Sequence, residues 1–433
     1  MDHLIENSNI RNDGALGQVS GPRRSLLIVI AAMAVVDTLK FFKAFPKVSI
    51  GEIDIGAFDV VSVPVAILTF VLLLRRTKFS YDEFAALIFV VYSIVTFLVS
   101  FSSRGVVAGV DYRDNFINYM ILAFIIFGHS LEGFSAISRI LLLIASYPVL
   151  VFILTLLGVL PSPAERIGVS FLSGYQSKRF LSSHWAMMIT IGGFVLLFSC
   201  HLVRDFQKQI RVLVVALTLL AISTLSFHRS VWLATIGGLG TYFLILRWLP
   251  ANNVSKAVVT YLVFLGTGAF LVVISFGIVT EFDSAFVSNF KENSTIAWRI
   301  SGWVSLIDKM DWWNFFVGMG FGADQSRYFL GHEVSANAHN FYVLNLWYMG
   351  IIGLGLMFYL YYRQFYFLFY ILRHTQNDEY SVIAGLLLTL NVSICILYVA
   401  YGFAFETAVV LGITIMFVKQ FHSAVISGNI AMR

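Results

Sequence analysis

Charged side chains are scarce in this 433-residue chain: Asp, Glu, Lys and Arg together make up 12% of it, whereas hydrophobic residues make up 58%. Soluble domains carry roughly 25% charged residues. A water-soluble globular domain is therefore excluded, and the composition indicates a protein embedded in a membrane.

Other absences narrow the possible functions. The chain has two cysteines, Cys200 and Cys395, and both fall within apolar runs near different membrane faces, so no disulfide is expected. The sequence contains no Walker loop and no Ser-His-Asp pattern, so we expect neither ATP binding nor a serine nucleophile. It also lacks the basic, aromatic-lined pattern and the fold motifs of nucleic-acid binding.

Long apolar runs recur along the chain, and each is close to the roughly 20 residues that cross a bilayer core. They predict an all-α, polytopic membrane protein with about twelve transmembrane helices. The predicted spans are 24–42, 56–74, 83–101, 115–131, 137–160, 184–203, 210–226, 229–247, 257–279, 340–362, 381–399 and 403–421.

Basic residues near the span ends predict the orientation, because loops rich in Lys and Arg stay in the cytoplasm. Both termini are then cytoplasmic. The predicted segments are a tail at 1–23, helices one to nine at 24–279, a large outer loop at 280–338 and helices ten to twelve at 339–433. A cleaved signal peptide around "LLIVIAAMA" is the weaker alternative for the start of the chain.

The large outer loop has a helical pattern of its own. Its apolar residues at helical spacing are Ile296, Ile300, Trp303, Val304 and Ile307. They predict an amphipathic helix lying on or near the membrane, with Asn293 or Ser294 as its N-cap.

Two outer arginines have unusual positions. Arg229 opens the span "HRSVW", and Arg299 lies on the loop helix in "AWRISGW". One interpretation is an interface anchor whose stem packs on apolar surface. The other is an anion clamp, because the guanidinium fork suits phosphate oxygens. Arg179, in "GYQSKRFLSSHW", is a candidate fourth group or a substrate contact.

A glycine-rich stretch and a histidine follow the loop helix. The stretch "GMGFG" at 318–322 permits a tight turn and close backbone approach. His339 and Asn340 then stand directly before an apolar run. His339 fits either a structural interface residue or a general base, since a neutral imidazole accepts protons near pH 7. Asn340 fits either a helix cap or a residue that orients the histidine and contacts substrate.

Taken in order, these elements resemble the O-antigen ligase and O-antigen polymerase superfamily. The matching segments are "HRSVW", "AWRISGW", "GMGFG" and "AHNFYVLNLWYMGIIGLGLMF", within about residues 226–360. One departure is at the first motif, where the family often has Ser-Arg-Gly and this chain has His228, Arg229 and Ser230. The role of His228 is therefore open.

The resemblance implies a transferase of the bacterial inner membrane that acts on its periplasmic side. Its donor is a glycan on undecaprenyl pyrophosphate, and no metal or other cofactor is needed. Arg229 and Arg299 would hold the pyrophosphate and His339 would take the proton of the acceptor hydroxyl. These three side chains should line one outward-facing cavity, with functional atoms within roughly 15 Å of each other before substrate tightens the contacts.

The acceptor and the reaction class stay open at this point. A polymerase would extend the glycan on a new lipid-linked repeat unit, a ligase would move it to lipid A core, and a transporter or flippase would form no new bond. A polymerase is favoured slightly. A chain-length regulator protein is a possible partner. The acidic pair Glu281 and Asp283 fits a solvated loop end better than a metal site.

Overall fold

The computed structural model describes residues 29, 48–50, 53–55, 57–75, 79–128, 133–159, 181–224, 228–250, 266, 268, 295–329, 332–335 and 340–428. The helices are α1 (Ala57–Arg75), α2 (Tyr81–Arg104), α3 (Val106–Gly128), α4 (Gly133–Leu156), α5 (Ser183–Ser199), α6 (Phe206–Thr224), α7 (Arg229–Ile245, continued by a 3-10 turn at Leu246–Trp248), α8 (Thr295–Asp308), α9 (Trp312–Val317), α10 (Phe341–His374), α11 (Asp378–Leu397) and α12 (Phe405–Ile426).

Two short antiparallel hairpins accompany the helices, although the sequence predicted none. Strands β1 (Val48–Ile50) and β2 (Ile53–Ile55) pair, as do β3 (Ser326–Phe329) and β4 (His332–Ser335). The second hairpin lies within the large loop, where Arg327 pairs in register with Val334. The protein is therefore helical with small β elements in its connections.

The lengths and compositions of the helices are consistent with a membrane protein. Seven helices of the described ranges are long and apolar enough to cross a membrane, and two shorter apolar segments lie at Pro64–Arg75 and Ser183–Ser199. The described helices overlap ten of the twelve predicted spans. The other two predictions, 24–42 and 257–279, lie outside the described residues except at single positions.

Helix α3 begins nine residues before the predicted span at 115–131, because a charged stretch that we placed outside is helical. Within this stretch, the carboxylate of Asp111 accepts two hydrogen bonds. Its Oδ2 accepts the Gly322 N–H at 2.8 Å and its Oδ1 accepts the Tyr348 hydroxyl at 2.9 Å. A charge with two such partners can lie inside a helical hairpin without a large desolvation cost.

Helix α10 departs most from the prediction of one continuous span at 340–362. Gly350 has φ +65° and ψ −170° and interrupts the helix. Tyr342 stacks on Phe358 with ring centroids 5.6 Å apart, and the Asn345 amide lies 3.5 Å from the Met357 sulfur. In an unbroken helix, residues 342 and 358 would be about 24 Å apart. The chain therefore reverses, and arm 341–349 packs against arm 351–374.

The predicted amphipathic helix of the outer loop is present as α8, which begins at Thr295. Its outward residues Ile300, Val304 and Ile307 are exposed, while Leu306 is buried. Exposed tryptophans Trp312 and Trp313 follow on α9. An apolar exposed stripe next to tryptophans is typical of a helix at a membrane interface.

Candidate functional site

Four helices begin at one end of the bundle, around the loop 398–404 that joins α11 to α12. The N–H of Phe341, the first residue of α10, lies 2.9 Å from the Tyr398 carbonyl and 3.1 Å from the Tyr401 carbonyl. Helices α5 and α7 reach the same loop through His184 and His228. We call His184, His228, Asn340, Tyr401 and Glu406 the outer cluster, after the side of the membrane on which the sequence predicts the starts of these helices.

His228 ties two of these helix starts together. It is the N-cap residue of α7, it is buried, and its Nε2 lies 2.8 Å from the Leu181 carbonyl, just before α5. Its Nδ1 lies 3.4 Å from the Tyr401 hydroxyl. A buried imidazole needs such partners, since an unpaired polar group in the interior is costly. The open role of His228 is thus at least to join α5, α7 and the loop.

His184 and Glu406 join the starts of α5 and α12. Nδ1 of His184 lies 2.9 Å from Oε1 of Glu406. The carboxylate side chain is 1% exposed, whereas the histidine side chain is 37% exposed. Oε2 of Glu406 is buried and has no hydrogen-bond partner within the described ranges. The pair therefore connects a buried acid to an accessible imidazole.

The electrostatic character of the outer cluster follows from its helix ends. Each helix N-terminus carries an effective charge of about +0.5, because the first N–H groups point away from the helix. Helices α5, α7, α10 and α12 all present this end to the cluster. Such an arrangement favours an anionic group, and a phosphate at helix N-termini is a common case.

The reversal in α10 decides which way its first arm points. Arm 341–349 runs antiparallel to arm 351–374, so its N-terminus at Asn340 lies back beside the Tyr398–Tyr401 loop. An unbroken helix would have put that end far from the loop. The reversal at Gly350 therefore places Asn340, which directly follows His339, within the outer cluster.

Asn340 caps α10 with its side chain. Its Oδ1 accepts the N–H groups of Tyr342 at 2.9 Å and Val343 at 3.1 Å, and the residue is buried. Capping is one of the two roles that the sequence allowed. Contact with a substrate stays a prediction.

The other predicted site residues are described only in part. His339 and Arg179 lie outside the described residues, as do Glu281 and Asp283. Arg229 is the first residue of α7, and its side chain is likewise outside the description. The predicted separation of roughly 15 Å among the three functional groups therefore stays a prediction. Their neighbours in sequence, His228 and Asn340–Phe341, do meet at Tyr401.

Arg299 is half-buried on α8. Its Nε is buried and has no hydrogen-bond partner in the described part of the chain. A guanidinium N–H without a partner is unfavourable unless a ligand or solvent satisfies it. This atom lacks a partner but is also enclosed, so the role of Arg299 in an anion clamp stays a prediction.

The glycine-rich stretch turns tightly and packs against the backbone of α10. Gly318, Gly320 and Gly322 all have positive φ. A Cβ at Gly318 would lie 2.2 Å from the Tyr348 carbonyl oxygen. The N–H of Met319 already bonds the Trp347 carbonyl at 2.7 Å. These contacts support the interpretation of this stretch as a tight turn with close backbone approach.

Next to this turn, Asp324 makes local hydrogen bonds. The hydroxyl and N–H of Ser326 donate to its carboxylate, and these bonds hold the pKa of Asp324 below its usual range. Asp324 is exposed and lies on the loop rather than in the outer cluster. It therefore shapes the turn and does not add a buried charge to the site.

Sequence reasoning missed His184, Glu406 and Tyr401. Glu406 had a usable signal, since it is a lone carboxylate at the start of the apolar run "FETAVVLGITIMF". An ionisable residue inside a membrane segment indicates a functional site by default. His184 had no comparable signal. Among the described residues, no group of three or more His, Cys, Asp or Glu side chains could hold a metal ion.

Comparison with protein-family models and with curated proteins gives no match for this chain.

Proposed function

We propose that the protein is a membrane glycosyltransferase that moves a glycan from undecaprenyl pyrophosphate to a sugar hydroxyl. The observation that carries this proposal is the convergence of four helix N-termini on the outer cluster. Two of these helices begin next to the predicted site residues: α7 begins at Arg229, and the N-cap of α10 directly follows His339. Helix N-termini stabilise phosphate oxygens, and a pyrophosphate leaving group gains negative charge as the glycosidic bond breaks.

The arginines and the histidine have separate roles in the proposed reaction. Arg229 and Arg299 hold the pyrophosphate, and the buried unpaired Nε of Arg299 supports this role. A histidine accepts the proton of the attacking hydroxyl; His339 is the candidate from the sequence. The energy of the reaction comes from the lipid pyrophosphate bond, so the reaction needs no ATP.

We favour polymerisation of O-antigen or exopolysaccharide repeat units over ligation to lipid A core. Both reactions use the same donor and the same clamp and differ only in the acceptor. In this proposal the protein lies in the bacterial inner membrane with both termini in the cytoplasm and the outer cluster on the periplasmic side. A chain-length regulator protein is a candidate partner.

The test is reconstitution of the purified protein in liposomes with a lipid-pyrophosphate-linked repeat unit. We expect a ladder of glycan products. Transfer only to added lipid A core would identify a ligase, and movement of the lipid-linked unit without a new glycosidic bond would overturn the proposal in favour of a transporter.

Variants locate the clamp in the same assay. Arg229→Lys keeps the charge but loses the bidentate fork, so we expect turnover to fall roughly tenfold or more, because a hydrogen bond to a charged group contributes about 1.5–3 kcal/mol. The matched control is Arg247→Lys at the other end of the same helix, where the guanidinium lies 4.1 Å from the centre of the Trp248 ring. Equal activity of the two variants would contradict the clamp.

A further inference from the structure

The Glu406 carboxylate differs from the other buried carboxylates whose partners are described. Glu83, at the opposite end of the bundle, uses both oxygens: Oε1 accepts from Lys419 at 2.8 Å and Oε2 from the Ser80 N–H at 2.8 Å. Glu406 has one oxygen on His184 and a second oxygen that is buried without a partner within the described ranges. A buried carboxylate with an oxygen that lacks a hydrogen-bond partner is expensive, which indicates a purpose beyond packing.

The contact also bears on the tautomer of His184. Where a neutral imidazole donates to the Glu406 carboxylate, its proton lies on Nδ1. Nε2 is then the basic nitrogen. A carboxylate that orients a histidine in this way is the arrangement that prepares an imidazole to take a proton from a hydroxyl group.

The position of His184 suits a role in proton transfer. His184 lies in the first turn of α5, and more than a third of its side chain is exposed, whereas Glu406 beneath it is almost fully buried. Its ring lies 5.6 Å from the ring of Tyr401, whose hydroxyl contacts His228. The partly exposed ring therefore lies within the outer cluster, where the proposed reaction takes place.

We propose that His184 is the proton acceptor of the transfer reaction and that Glu406 is its positioning residue. The inference rests on the proposed function. The acceptor sugar's hydroxyl oxygen bonds the anomeric carbon, the bond from that carbon to the pyrophosphate oxygen breaks with its electron pair, and the hydroxyl proton passes to Nε2 of His184. The imidazolium then releases this proton to water at the exposed face. His339, the candidate from the sequence, lies outside the described residues, and the variants below distinguish the two histidines.

Chemical rescue tests the assignment in the reconstituted full-length protein. His184→Ala should lower kcat by roughly 10²–10⁴-fold, the usual contribution of a general base. Added imidazole should restore part of the activity, because it can occupy the space of the deleted ring and take the proton. A purely structural role would not respond to imidazole. Glu406→Gln should lower kcat while the acceptor KM stays near the wild-type value.

Two histidine variants serve as comparisons. His201→Ala removes a half-buried histidine beyond the other end of α5, where Nε2 lies 2.8 Å from the Tyr242 hydroxyl, and it should keep wild-type kcat. His339→Ala should show no imidazole rescue. Full activity of His184→Ala, loss without rescue in a folded His184→Ala protein, or rescue of His339→Ala alone would each overturn the assignment. An inactive wild-type protein would instead count against the proposed function.

Discussion

Buried carboxylates have different sets of partners at the two ends of the helical bundle. At the end opposite the outer cluster, Asp82 lies 2.7 Å from Arg363, and Glu83 lies 2.8 Å from Lys419. Both carboxylates are almost fully buried, and their partners join α2 to α10 and α12. Each charge is neutralised by an opposite charge, which is the arrangement expected where a fold is held together.

The outer cluster is built from helix ends, imidazoles and a single carboxylate, one of whose oxygens has no hydrogen-bond partner in the described part of the chain. The comparison teaches that burial alone does not identify a functional charge. What distinguishes the site is a buried polar group whose partners are incomplete.

Breaking an ion pair should have the largest effect on stability. Arg363→Met leaves the buried Asp82 carboxylate without its partner, and the free energy of unfolding should fall by roughly 3–5 kcal/mol. This fall in stability is measured by thermal unfolding of the purified protein in detergent.

The double variant Asp82→Asn with Arg363→Met is the control, and it should recover most of the loss, because no lone charge remains. Glu406→Gln should unfold near the wild-type temperature. If Glu406→Gln were as destabilising as Arg363→Met, the contrast between the two ends would be wrong.

The helix reversal should be the next most sensitive feature. Gly350→Ala forces a side chain into a positive-φ conformation and places its Cβ 2.2 Å from the Phe316 carbonyl oxygen. We expect a loss of about 2–3 kcal/mol, from backbone strain and overpacking together. The unfolding midpoint and the yield of monodisperse protein are the measurements.

Gly355→Ala is the matched control in the same helix, since a Cβ there meets no atom within 4 Å. It should be neutral or stabilising by up to about 1 kcal/mol, because alanine favours helix more than glycine does. Equal unfolding midpoints for the two variants would contradict the reversal.

The smallest effect is expected for the helix caps, which occur at both ends. Asn340 caps α10 within the outer cluster, and Asn377 caps α11 at the opposite end by accepting from the N–H groups of Glu379 and Tyr380. Replacing either by alanine should cost about 1 kcal/mol of stability. Transfer activity separates them: Asn340→Ala should lose activity and Asn377→Ala should not. Similar activities would remove Asn340 from the site.

Local patterns in the sequence predicted most of the helices but not their contacts. Apolar run length located the spans, and the spacing of Ile300, Val304 and Ile307 located the loop helix. The reversal was hidden, because both arms of α10 are apolar and three nearby glycines, Gly350, Gly353 and Gly355, look alike in the sequence. In the structure, its positive φ and the packing of α9 against it distinguish Gly350 from the other two.

The candidate site shows the same limit. Arg229, Arg299 and His339 were selected from the order of the motifs. The meeting of their side chains at one site stays a prediction. His184 and Glu406 are separated by 222 residues, so no local pattern can pair them. A contact of that kind depends on how α5 and α12 pack, which hydropathy and spacing do not specify.

The turn at Gly350 also matches the protein to its lipid environment. As a straight rod, the 34 residues of α10 would extend about 51 Å, far beyond a hydrocarbon core of roughly 30 Å. The resulting hydrophobic mismatch would have to be relieved by strong tilting or by local thickening of the bilayer. Folding back leaves the 24 residues of arm 351–374, about 36 Å, to span the core. A single glycine thereby adjusts the helix to membrane thickness while its apolar sequence stays continuous.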